Sequence, residues 1–164
     1  MDSAGQQATD AGTAGVIARP PFLFLAALLL GFASDRVLLL RFPVLMSEPV
    51  HWIIAGSLIL AGLTLAAAGI RNLSRAGTPV PTYEPTRALV TTGIHGRTRN
   101  PIYLGFFLMY GGLGIAARNP SILVLMLPLA IVIRYGVVAR EEAYLERRFG
   151  DAYRDYRARV RRWM

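Results

Sequence analysis

At 164 residues the chain is one domain by length, yet it is 54% hydrophobic with a mean hydropathy of +0.41, too apolar for an ordinary soluble domain. It has no cysteine, which excludes a disulfide framework, a thiolate metal site and a cysteine nucleophile, and His51 and His95 lie too far apart for an HxxxH or HExxH metal pair. The net charge of +8 is carried by arginine alone, without a basic strip interleaved with stacking aromatics, which argues against nucleic acid as a partner.

Residues 1–18 are mainly Ala, Gly, Thr, Gln and Asp, and their composition predicts a disordered tail. The tail is neither basic nor followed by a convincing cleavage site, so the apolar run that begins at Pro21 reads as a retained membrane helix and not as a signal peptide. This first segment runs from about Pro20 to Leu45. Asp35, Arg36 and Arg41 mark its outer end, since an isolated charge at the bilayer centre costs about 2.5–3.5 kcal/mol. His51 to Ile70 carries no charge and is the cleanest spanning helix, with Gly56, Gly62 and Gly69 available for close helix packing. Pro101 to Ala117 and Ile122 to Val138 are each just long enough to span, and Asn119-Pro120 between them reads as a tight hairpin turn.

The tail from Arg140 to Trp163 places Leu145, Phe149, Tyr153, Tyr156 and Val160 at spacings of three and four, the period of an amphipathic helix. Gly150-Asp151 interrupts it, with glycine ending one short helix and aspartate capping the next. Arginines concentrate in 71–99 and 134–162, which on the positive-inside rule lie on the cytoplasmic face with both termini. The expectation is an all-α integral membrane protein, multi-pass in a bacterial inner membrane. It has about four transmembrane helices, the last two a hairpin, and C-terminal cytosolic amphipathic helices, with residues 19–164 as one domain.

Two polar groups stand out against this background. Pro101 suits the first turn of a helix, so Arg99 and Asn100 sit at the membrane boundary and Tyr103 one turn inside. An anchor on lipid phosphates and in the aromatic belt accounts for these residues taken alone. Glu141 and Glu142 directly follow a hydrophobic span, where acidic side chains gain nothing from anionic lipid and where a helix end favours cations. Something basic should face at least one of them, either an arginine of 71–99 or the ammonium of a ligand.

The run Arg87-Ala88-Leu89-Val90-Thr91-Thr92-Gly93-Ile94-His95, then Arg99-Asn100-Pro101-Ile102-Tyr103-Leu104-Gly105, and finally Glu141-Glu142-x-x-Leu145 with Phe149-Gly150-x-x-Tyr153-x-x-Tyr156, resembles the isoprenylcysteine carboxyl methyltransferase and phospholipid methyltransferase superfamily. The resemblance covers about residues 75–162. It implies an integral-membrane enzyme that binds S-adenosylmethionine in a pocket closed by the last helical hairpin and the cytosolic tail. Its cofactor contacts would be Arg87, Ala88, Leu89, Val90, His95, Asn100, Pro101, Ile102, Tyr103 and Glu141, with Arg99, Tyr103 and Glu142 as the catalytic group. His95 stands where tyrosine is usual and Asn100 where histidine is. Val137 replaces the substrate-binding arginine of the carboxyl methyltransferases, leaving Arg134 and Arg140 as candidates for that role.

The chemistry of the cofactor supports these assignments. Its ammonium needs a carboxylate, for which Glu141 is suited, and its carboxylate needs donors, which Arg99 or Asn100 offer. A lipid or isoprenoid carboxylate is already nucleophilic at neutral pH, whereas a phospholipid amine must first lose a proton, to Glu142 or His95. A small hydrophobic thiol is a third candidate; the acceptor is lipophilic in every case, and the residues leave its identity and the oligomeric state open. Two readings of other classes stand beside this one: a sterol-type membrane reductase using a nicotinamide dinucleotide, and a non-catalytic membrane interaction protein.

Overall fold

The computed structural model describes residues 13–38, 47–80 and 84–164, and contains no strand among them. Helix α1 is Pro20–Leu38, α2 is Glu48–Arg75, and α3 is Pro101–Ala116. Helix α4, Pro120–Val132, continues through a π turn, Ile133–Val138, into α5, Ala139–Phe149, and α6 is Asp151–Arg159. A 3-10 turn, Gly93–Gly96, lies between α2 and α3. Among the described residues, two helices are long and apolar enough to cross a membrane, Glu48–Arg75 and the continuous Pro120–Phe149, while Pro20–Ser34 and Pro101–Ala116 are shorter apolar helices.

Proline at the start sets three of these helices in place, because the N–H it lacks has no intrahelical partner in the first turn. The α3–α4 hairpin forms at the expected residues: Arg118 takes a left-handed φ of 51°, and the Asn119 side chain accepts from the Ile122 N–H at 3.1 Å. Helix α2 outruns the charge-free segment at both ends, since Glu48 and Arg75 sit where charges reach water, Glu48 paired with Arg118.

Helices α2 and α3 pack antiparallel through small residues. Gly69 meets Pro101 and Ile102, Gly62 meets Gly105, and Ala55 and Ile59 meet Gly112. A Cβ added at Gly105 would lie 2.6 Å from the Gly62 carbonyl oxygen and 2.8 Å from the Ala66 nitrogen, both backbone atoms. Gly105→Ala should therefore destabilise the detergent-solubilised protein by about 1–3 kcal/mol, read as a lower thermal midpoint. Gly56→Ala, where a Cβ meets nothing within 4 Å, should leave that midpoint equal or higher. Across the bundle, Phe24 of α1 stands edge-on to Phe106 and Phe107 at 5.3 and 4.9 Å, and Gly31 admits Ile122 of α4.

Residues 13–18, which composition assigns to a disordered tail, pack against the π turn. The Ile17 N–H donates to the Gly136 carbonyl at 3.2 Å, the Ile17 side chain fills the space a Cβ at Gly136 would need, and Ala14 is buried. The receptor for this segment is a glycine on a distant helix, which local composition does not reveal. Residues 1–12 of the tail lie outside the described residues, as do Arg41 and the side chains of Asp35 and Arg36 expected to mark the end of the first segment. The break at Gly150 forms with φ 54°, but Asp151 does not cap α6: it lies inside the first turn and pairs with Arg154.

Candidate active site

One cavity of about 510 Å³ opens where the C-terminal end of α2, the loop before α3, the start of α3 and the first turn of α5 meet the N-terminal end of α1. That volume suits a small-molecule site. The loop wall is organised by one hydroxyl: Thr78 Oγ1 accepts from the backbone N–H groups of Arg87 and Ala88 at 2.8 and 2.9 Å. Tyr144 on α5 adds a second pin, its hydroxyl accepting from the Thr86 N–H at 3.1 Å.

The 3-10 turn brings His95 to the cavity, buried and held from both sides. Asn72 Nδ2 donates to the Thr92 carbonyl at 2.7 Å and lies 3.0 Å from His95 Nδ1, within hydrogen-bond reach. Tyr156 of α6 donates its hydroxyl to the His95 carbonyl at 2.7 Å, and burial pushes that phenol above its ordinary range. Burial also lowers the His95 pKa, so the folded state favours the neutral ring. Because the folded value is depressed, the associated stability is present above the ordinary value of about 6.5 and is lost as pH falls, when the unfolded chain binds the proton first. The thermal midpoint should drop between pH 7 and pH 5, and His95→Gln should flatten that drop.

Adjacent residues on α5 lie about 100° apart around the helix, and the two acids face different partners. Tyr103 Oη donates to Glu141 Oε1 at 2.5 Å on the cavity wall, and among the described residues Glu141 makes no ion pair. Glu142 turns away from the cavity, with Oε1 3.2 Å from Arg99 Nη2 and both oxygens taken by Arg162, Nε at 2.9 Å and Nη2 at 2.6 Å. The Arg99 side chain is 9% exposed and lines the cavity, and its Nε and Nη1 are buried with no hydrogen-bond partner among the described residues. A carboxylate without a cation and a guanidinium with two unused donors thus share one cavity.

Of the residues singled out from the sequence, Ala88, Leu89, Val90 and His95 line the loop wall. Arg99, Asn100, Pro101, Ile102, Tyr103 and Glu141 line the helical side. Four do not reach the cavity. Arg87 contributes its backbone N–H to Thr78, and Glu142 is held by two arginines. Arg134 stacks on the ring of Tyr135 at 5.4 Å, and Arg140 donates to the Gly15 carbonyl at 2.9 Å. Sequence reasoning missed Asn72, Thr78, Tyr144 and Arg162. Tyr144, one turn beyond Glu141 on the same helix, carried a signal in its spacing; the others act through loop contacts that no periodicity encodes.

Two apolar helices long enough to span a bilayer thus contribute to one cavity whose lining includes charged residues, Arg99 and Glu141 among them. The family model described as "Phospholipid methyltransferase" matches residues 50–152, and the chain belongs to that family of membrane methyltransferases, within the superfamily that also holds the isoprenylcysteine carboxyl methyltransferases. Over 34 residues the chain is 56% identical to an "Uncharacterized protein" of Haemophilus influenzae, a match covering 21% of this chain and 54% of that protein. The chain thus spans about half the length of the curated relative it matches. No solved structure matches it.

Proposed function

We propose that the protein transfers a methyl group from S-adenosylmethionine to a lipophilic acceptor at the cytosolic face of the membrane, within a four-span arrangement of α1, α2, α3 and the continuous Pro120–Phe149. The observation that carries this reading is that Glu141, without an ion pair among the described residues, and the two unpartnered donors of Arg99, Nε and Nη1, meet on one cavity. They complement the ammonium and carboxylate of the cofactor's amino-acid end. An even number of spans puts the 71–100 connection and the tail on one side, in keeping with their meeting at this cavity.

When bound, S-adenosylmethionine supplies an electrophilic methyl on a sulfonium, open to in-line attack by the acceptor. Glu141, fixed by Tyr103, would hold the ammonium, and the unpartnered Nε and Nη1 of Arg99 would be available to the carboxylate. The wall of Ala88, Leu89 and Val90 offers an apolar bed for the adenine. Holding the reactants aligned and partly dry can account for much of such a rate. Among acceptors, a lipid or isoprenoid carboxylate needs no base, whereas a phospholipid amine does. Glu142, one of the two candidate bases, is engaged by two arginines, which favours the carboxylate.

Calorimetric titration of the detergent-purified protein with S-adenosylhomocysteine, and in parallel with NADPH, tests the reading. Micromolar binding of the first alone is expected. Binding of NADPH alone moves the protein to the reductases, and binding of neither overturns an enzymatic role for this cavity.

A further inference from the structure

Beyond α6 the chain leaves the helix, with Val160 in an extended conformation, and runs alongside the start of α3. The Arg161 carbonyl accepts from the Arg99 N–H at 3.0 Å. The Arg162 carbonyl accepts from both Thr98 Oγ1 at 3.1 Å and Asn100 Nδ2 at 3.0 Å. Trp163 then packs edge-on to Phe107, 6.3 Å between ring centres. Two consecutive carbonyls thereby tie down three consecutive residues, two of which line the cavity.

The Arg162 side chain adds a second connection. Its fork occupies both oxygens of Glu142, which leaves Arg99 a single contact to that carboxylate, through Nη2. A carboxylate released from Arg162 would be free to form its own two-point pair with Arg99, the geometry a guanidinium prefers. That rearrangement would turn Arg99 toward Glu142 and take donors away from the cavity.

We propose that Val160–Trp163 is a strap that holds the cavity wall at Arg99 and Asn100, and that Arg162 is a positioning residue that keeps Arg99 directed at an anionic group of the ligand. Asn100 then serves as the strap's anchor through its side-chain amide. The inference rests on the methyltransferase reading for the ligand's identity, but the strap itself is a property of the free protein.

The test compares Arg162→Gln with the unsubstituted protein against two nucleosides, S-adenosylhomocysteine, which has the carboxylate, and 5′-methylthioadenosine, which lacks the amino-acid end. Arg162→Gln should weaken the first about tenfold and leave the second within about twofold, with Arg162→Lys, which keeps the charge without the fork, between the two proteins. Equal losses for both nucleosides, or no loss for either, overturn the positioning role. Hydrogen exchange of the Arg99 amide in the ligand-free protein is the second measurement, and it should quicken about tenfold in Arg162→Gln as the strap loosens. An unchanged exchange rate overturns the strap whatever binds. If the unsubstituted protein binds neither nucleoside, the methyltransferase reading fails and the exchange measurement alone decides the strap.

Discussion

Glu141→Ala should abolish S-adenosylhomocysteine binding at concentrations that saturate the unsubstituted protein, and should do so without lowering the thermal midpoint. The carboxylate lines the cavity, accepts from Tyr103, and has no cationic partner among the described residues. Truncating one partner of a buried, hydrogen-bonded charge pair costs about 2–5 kcal/mol, or roughly thirtyfold and upward in affinity. In the free protein the same group is desolvated without an opposite charge, so its removal relieves strain that binding would otherwise offset. Glu141→Gln should show the same split, and Tyr103→Phe a smaller loss of about 1.5–3 kcal/mol, the value of a hydrogen bond to a charged group. Calorimetry with thermal unfolding of the same preparations checks both halves. Affinity retained in Glu141→Ala, or affinity and stability lost together, contradicts the assignment.

The sequence was most readable where a residue acts through its own position on a helix. Proline at the start of α3 and α4, the turn at Asn119, the break at Gly150 and close packing at Gly62 and Gly69 of α2 all follow from local rules and form there, whereas Gly56, expected in the same seam, meets nothing within 4 Å. The family resemblance also grouped Arg87 to Val90, His95, Arg99 to Tyr103 and Glu141, and all of these except Arg87 line the cavity. What stayed hidden depends on contacts between segments distant in sequence. The docking of Ile17 needs Gly136 opposite it, the π turn at Ile133–Val138 has no signature in apolar content, and Thr78 matters only because the loop folds back over it. The acid pair is the instructive case. The charge argument demanded a basic partner for at least one of the two, either an arginine or a ligand, and the structure gives Glu142 two arginines while leaving Glu141 none among the described residues.

That division makes Glu142 the position where stability, and not affinity in the first instance, is expected to fail. Glu142→Gln leaves Arg99, 9% exposed, and Arg162 as neighbouring cations without the carboxylate that neutralises both. Breaking a buried pair by removing one partner destabilises by about 3–5 kcal/mol, more than half of the low end of ordinary domain stability. The protein should therefore show a sharply lower thermal midpoint and poor recovery from detergent. Adding Arg162→Gln removes one of the two stranded charges, so the double variant should be more stable than the sum of the single losses predicts, a coupling of about 0.5–3 kcal/mol. Thermal unfolding of the two single variants and the double variant measures this cycle. Strict additivity would mean that the two side chains do not depend on each other, and Glu142 would lose its place as the hub joining α5, the start of α3 and the strap. A ligand that binds the folded state raises the midpoint by mass action, so excess S-adenosylhomocysteine should partly restore Glu142→Gln while doing nothing for Glu141→Ala. Two adjacent glutamates, chemically identical, are therefore expected to separate folding from binding, one held by two arginines and the other lining the cavity without an ion pair among the described residues.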